Sequence, residues 1–158
     1  MSTTPTLPSD ALIDIVHWKD PLVEANGFHI ADTYNELFWL PVLGPTASWL
    51  LRRLAGGLEQ EPNGYTTDMS ELARSIGVSY APGKHNPFAR ALHRCIMFGA
   101  AQQISVLPRT TIGVRLVLPV LPHRHLARLP HQLRIAHDDW LHSARTDSTR
   151  PNHMVASA

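Results

Sequence analysis

The stretch SELARSIGVSYAPGKHNPFARALHRCIMFGAAQQISV, residues 70–106, combines two helical patterns and the start of a strand. Asp68, with Glu71 three residues later, makes a capping pair for a short helix that buries Leu72, Ala73 and Ile76 and ends at Gly77. A turn, VSYAPGKH, leads to Asn86-Pro87, an N-cap followed by a first-turn proline. Phe88, Ala91, Leu92, Cys95 and Phe98 then recur every three or four residues, so Pro87–Phe98 is predicted to be a helix with one apolar face. Arg90, His93, Arg94 and Met97 fall on its opposite face.

Residues 101–107 and 111–118 follow, separated by Pro108-Arg109-Thr110, and read as the two strands of a hairpin. Upstream, GPTASWLLRRLAGGL predicts a helix opened by Pro45 and closed at Gly56-Gly57, with Trp49, Leu50 and Leu54 on its buried face. A very short strand is expected at Tyr65–Thr67. In the N-terminal segment, SDALIDIVHW carries Leu12, Ile13 and Val16 at helical spacing, and Thr33 with Glu36 forms a capping box for a helix that Pro41 stops. Downstream, residues 119–130 read as a proline-punctuated connector. The final helix then carries a stripe of Leu129, Leu133, Ala136, Trp140 and Ala144.

The order helix, short strand, helix, turn, basic-faced helix and hairpin over residues 45–118 resembles a winged helix-turn-helix domain. MSELARSIGV is similar to the first helix of bacterial helix-turn-helix regulators through Glu71, Leu72, Ala73, Gly77 and Val78. The flanks FWLPVLGPTASWLLRRLA and LPHRHLARLPHQLRIAHDDWL resemble segments of uncharacterised actinobacterial proteins of the mycobacterial type that contain this module. The expected fold is therefore mainly α with a small β-hairpin: a winged helix-turn-helix core with N- and C-terminal helical extensions. The expected divisions are a disordered tail at 1–8, a helical extension at 9–44, the winged core at 45–118, a connector and C-terminal helix at 119–145, and a disordered tail at 146–158.

Charge supports the same direction. Residues 1–83 carry four Lys/Arg against ten Asp/Glu, a formal charge of −6; residues 84–158 carry ten against three, a formal charge of +7, and hold eight of the ten histidines. Such polarity suits a surface that meets an anion, although attraction between the two halves within the fold would produce the same pattern. The expected partner is double-stranded DNA, with the helix at 87–98 in the major groove and the hairpin at 101–118 as a wing. Arg90, His93 and Arg94 would face the bases, while Lys84, His85 and Asn86 at the helix start would hold a phosphate. Arg109 at the hairpin tip and Arg115 on one of its strands would touch the neighbouring backbone or minor groove. Exposed histidines of the basic half gain charge as pH falls, so His85 and His93 would strengthen binding at acidic pH. The rival reading is an adapter that uses the same scaffold to bind another protein or a second copy of itself.

Other chemistry has little support. GVSYAPGKH places five residues between Gly77 and Gly83 where a phosphate loop needs four, and His85 stands where that motif needs Ser or Thr. His123, His125, His131 and His137 have no carboxylate or cysteine at matching spacing for a metal. Cys95, on an apolar face, reads as a core residue, and no nucleophile motif or paired carboxylates suggest an enzyme. A single cysteine, no leader-like segment and no apolar stretch near 20 residues predict a soluble cytoplasmic protein without a cofactor.

Overall fold

In a computed structural model, which describes residues 12–81 and 86–148, the chain combines helices with a four-stranded sheet and a two-stranded ribbon. Both predicted tails lie outside those residues, except that 146–148 continue the last helix.

The first element corrects the sequence reading. Leu12–His17 is a strand, β1, and not a helix. Ile13 and Ile15 alternate into the core, and the branched side chains of Ile13, Ile15 and Val16 suit a pleated surface better than a helix. β1 pairs antiparallel with β3 (Tyr65–Asp68) and parallel with β5 (Thr111–Val114). β4 (Ala101–Ser105) completes the sheet in the order β3-β1-β5-β4. The N-terminal segment is thus built into the sheet rather than appended to it.

After β1 come α1 (Pro21–Asn26) and β2 (Phe28–His29). A π-helical turn at Asn35–Trp39 then runs directly into α2 (Leu40–Leu43). The predicted Thr33–Glu36 capping box is not what starts this helix: the Tyr34 N–H donates to Asp32 Oδ1 at 2.8 Å, and Glu36 turns outward to Arg52 at 3.2 Å. Nor does Pro41 stop it. The wider turn has the Leu40 N–H donating to the Asn35 carbonyl, and Pro41 then falls in the first turn of α2, where its missing N–H is tolerated. Gly44 ends α2 at φ +81, a backbone angle that favours glycine.

α3 (Pro45–Gln60) runs past Gly56-Gly57 instead of ending there. Gly57 is needed for space, because a Cβ at that position would overlap the Tyr65 ring, whose hydroxyl donates to the Leu54 carbonyl at 2.7 Å. Leu50 and Leu54 are buried as predicted, whereas Trp49 is 54% exposed. α4 (Met69–Ser75) starts at the Asp68 cap, whose Oδ1 accepts the Glu71 N–H at 3.0 Å, and gives way to Gly77 at φ +76. α5 (Pro87–Met97) packs along α3 with Phe88, Ala91 and Cys95 inward.

The predicted hairpin forms between β4 and β5, but its second strand does not continue to residue 118. It breaks at Arg115-Leu116, and β6 (Val117–Leu118) pairs with β2 to make the separate ribbon. The connector holds a single helical turn, α6 (His123–Leu126), before α7 (His131–Ser148). On α7, Ala136 and Ala144 are exposed; His137, not Ala136, takes the buried place between Leu133 and Trp140. The core lies between the sheet face bearing Ile13, Ile15, Ile112 and Val114 and a helical layer bearing Phe38, Leu50, Leu54 and Phe88.

Candidate nucleic-acid interface

The predicted recognition helix is set in place by its own first residues. Asn86 Oδ1 accepts the Ala89 N–H at 2.8 Å, while its Nδ2 donates to the Ala81 carbonyl at 2.7 Å. This buried side chain therefore caps α5 and ties it to the preceding turn rather than facing outward. Lys84 and His85 lie outside the described residues.

Arg90, His93 and Met97 project from α5 into solvent. They border a groove of about 570 Å³ between α5 and residues 43–47, where α2 gives way to α3. Neither Arg90 nor His93 forms an ion pair with a described residue.

Arg94 is different, because its Nε and Nη2 both donate to the Val42 carbonyl, at 3.1 and 2.9 Å, and its guanidinium lies 5.4 Å from the Phe98 ring centre. The expectation that Arg94 is free like Arg90 is corrected: it fastens α5 to the end of α2. Arg94→Ala is expected to destabilise the fold by about 1–2 kcal/mol, from a lost charge-assisted pair of bonds at a partly exposed site. Arg90→Ala should stay within about 0.5 kcal/mol. Urea unfolding of the two variants checks the contrast.

The hairpin arginines are also engaged. Arg109 Nη2 lies 3.4 Å from Asp14 Oδ1, which also accepts the Thr66 hydroxyl at 2.5 Å. Arg115, with a side chain only 11% exposed, donates from Nε to the Gly99 carbonyl at 2.8 Å and from Nη1 to Asp20 Oδ2 at 3.0 Å. Its guanidinium stacks 3.6 Å from the Trp18 ring centre, and it holds the Asp20 carboxyl below its ordinary value. These two arginines meet acids of the N-terminal half, so part of the charge polarity serves the fold itself. The hairpin end is instead apolar, with Ile104, Val106 and Leu107 exposed.

Two exposed basic residues lie in the stretch that the sequence reading left as a connector, and one of them, Arg128, meets the end of α5. Arg128 lies 4.8 Å from the Phe98 ring centre, on the same ring that Arg94 contacts, and Arg124 is exposed on α6. The available signal was the absence of any Asp or Glu between Glu71 and Asp138, a run holding eight Arg and one Lys.

The histidines divide by burial. His93, His123 and His131 are exposed, but His125 and His137 are buried, so the His123/His125 pair does not converge on one point. Burial pushes both His125 and His137 below the ordinary imidazole value; Arg124 and Arg128 add to the effect at His125, while Asp138 partly offsets it at His137. Hence they cannot join the proposed acidic strengthening of DNA binding. The unfolded chain takes up these protons near pH 6.5 and the folded chain resists them, so stability falls as pH drops below about 6.5. The melting temperature should be nearly level between pH 8 and 7 and decline between pH 6.5 and 5, as calorimetry in matched buffers can check. Burial likewise pushes the Cys95 thiol up to about 12, which suits a core position.

Among the described residues, no group of three or more His, Cys, Asp or Glu side chains converges to hold a metal, and no helix is long and apolar enough to cross a membrane. Comparison with family models, curated proteins and solved structures finds no match to this chain.

Proposed function

We propose that this protein binds duplex DNA through the outer face of α5 and acts as a transcriptional regulator in the cytoplasm. The observation that carries the reading is the solvent-facing pair Arg90 and His93 on one helix, with Arg128 against the ring of Phe98 at its end, within a stretch of chain that lacks acidic residues. A helix of this width fits the major groove, and Arg90, which has no ion pair with a described residue, attracts phosphate. The element order α3, β3, α4, α5, β4, β5 supports a winged helix-turn-helix reading, with β1 inserted between β3 and the hairpin.

The proposed DNA contacts are Arg90 and His93, with Lys84 and His85 beside them in sequence; Arg94 contributes charge from its clamped position. Asn86 and Arg115 act through the fold, and Arg109 reaches DNA only by leaving Asp14. The exposed Ile104, Val106 and Leu107 favour a second reading, in which the hairpin end contacts a protein or another copy of the chain.

Fluorescence anisotropy with a labelled duplex separates the two. The Arg90→Glu/His93→Glu variant should bind at least about thirty-fold more weakly than the wild type, while its melting temperature is unchanged. Equal affinity of variant and wild type would remove α5 from the interface. Loss of self-association or partner binding on replacing Val106 and Leu107 with serine, with DNA ignored throughout, would favour the protein-contact reading.

A further inference from the structure

On the side of the helical layer formed by the π-helical turn, α2 and α3, a cavity of about 350 Å³ lined by Trp39 and Trp49 opens to solvent. Its walls are mainly carbon, from Ile30, Trp39, Leu43, Leu51 and Leu118. Asn35, only 6% exposed, also lines it. The amide orientation of Asn35 is fixed, because Nδ2 donates to the carbonyls of Phe28 and His29 at 3.2 and 2.7 Å, and carbonyls can only accept. That leaves Oδ1, an acceptor, buried and without a protein partner. The Ser48 hydroxyl oxygen on α3, also part of the lining, is buried and unpartnered as well. Trp39 cannot supply the missing donor, because its Nε1–H already donates to the Pro119 carbonyl at 2.9 Å. At the rim Arg52 is balanced by Glu36 at 3.2 Å and lies 5.1 Å from the Trp49 ring centre, so the entrance carries no net charge.

Two unmet polar atoms on an otherwise apolar wall are costly unless something pairs with them. π-Helical turns such as Asn35–Trp39 are also frequent at functional sites. We propose that this cavity is a binding site for a neutral aromatic small molecule of about the size of a bicyclic ring that carries one hydrogen-bond donor. The ring fills the carbon-lined space, and its N–H or O–H meets the Asn35 side. An apolar cavity of roughly 150 Å³ suffices for benzene, so a two-ring molecule is in scale here. The site stands independently of the DNA reading, since none of its side chains is among the proposed DNA contacts.

The test uses the full chain, labelled with ¹⁵N, and two probes of equal size and shape: indole, which has an N–H donor, and benzofuran, which has an oxygen in its place. Indole should shift the side-chain N–H resonances of Trp39 and Trp49 saturably, with those of Trp18 and Trp140 unmoved. Benzofuran should bind about tenfold more weakly, the loss expected when a buried acceptor stays unpaired. Ser48→Leu, which fills the cavity from α3, should abolish indole binding in a protein that still melts cooperatively. Absence of a saturable shift with indole would overturn the proposal, as would equal affinity for the two probes or equal shifts at all four tryptophans. If Ser48→Leu does not fold, the comparison of probes on the unmodified protein decides alone.

Discussion

Replacing Ile15 with aspartate is expected to abolish cooperative unfolding altogether. Ile15 is 0% exposed and sits on an interior strand of the sheet, opposite Tyr65 of β3 on one side and Ile112 of β5 on the other. Removing a buried isoleucine side chain costs about 2–5 kcal/mol before any charge is considered. A carboxylate in its place would sit in the hydrophobic core, so it must be desolvated or protonated at further cost. Against a total stability of roughly 5–15 kcal/mol, the sum removes most or all of the margin. Leu22→Asp is the control: Leu22 is 79% exposed on α1, which buries no side chain, and the change should fall within about 0.5 kcal/mol. If Leu12–His17 were a peripheral helix, Ile15→Asp would leave the melt of the remaining domain intact. Circular dichroism and calorimetry of both variants distinguish the outcomes.

Tyr34→Phe should lower stability by about 2–4 kcal/mol, although it removes a single oxygen. Tyr34 is fully buried, stacked on Phe28 at 3.8 Å between ring centres and tilted against Phe38 and Trp140. Its hydroxyl oxygen accepts the Leu121 N–H at 2.8 Å, which leaves its own proton to donate to Nε2 of neutral His137 at 2.7 Å. One oxygen thus joins the π-helical turn, the segment before α6 and the last helix. Phenylalanine preserves the ring packing but strands both the Leu121 N–H and a histidine whose other nitrogen, Nδ1, is already unpartnered. For a domain of this size the loss corresponds to roughly 5–15 °C in melting temperature. A change below about 1 kcal/mol in urea unfolding would mean that these polar groups find other partners. The variant should also reduce the acid sensitivity assigned to His137 if α7 loosens and the imidazole becomes hydrated.

Local signals in the sequence were sufficient for α4 and α5. The Asp68 cap, the Asn86-Pro87 start, Gly77 and the Phe88/Ala91/Cys95 face each act within a few residues, so their chemistry is readable along the chain. β1 was not readable in that way. Its partners are fifty or more residues away on β3 and nearly a hundred on β5, and Leu12, Ile13 and Val16 satisfy a helical spacing as well as a strand. Tertiary pairing overrode that local pattern. The stripe on α7 was displaced for a related reason: histidine reads as a surface residue until Tyr34, distant in sequence, supplies the bond that lets His137 be buried.

The candidate interface was legible only in part, and the arginines show why. Arg90 and His93 lie where helical periodicity put them. Arg94 and Arg115 have the same composition-level signature, but a long side chain can reach backbone carbonyls at sequence distances that periodicity does not encode, as Arg94 does to Val42 and Arg115 to Gly99. Arg124 and Arg128 were hidden by the prolines around them, which mark a connector without saying where it packs.

The salt dependence of binding to a labelled 20-bp duplex of mixed sequence decides whether the outer face of α5 meets DNA. Neutralising phosphates releases counterions, so three contacts at the α5 face correspond to a roughly forty-fold loss of affinity between 50 and 200 mM salt. Saturable binding is expected at 50 mM salt, with a fall of about that order by 200 mM and a shallower slope for Arg90→Glu/His93→Glu. A folded protein that does not bind the duplex at 50 mM salt, or binds it equally at both salt concentrations, would contradict the claim that the outer face of α5 meets DNA.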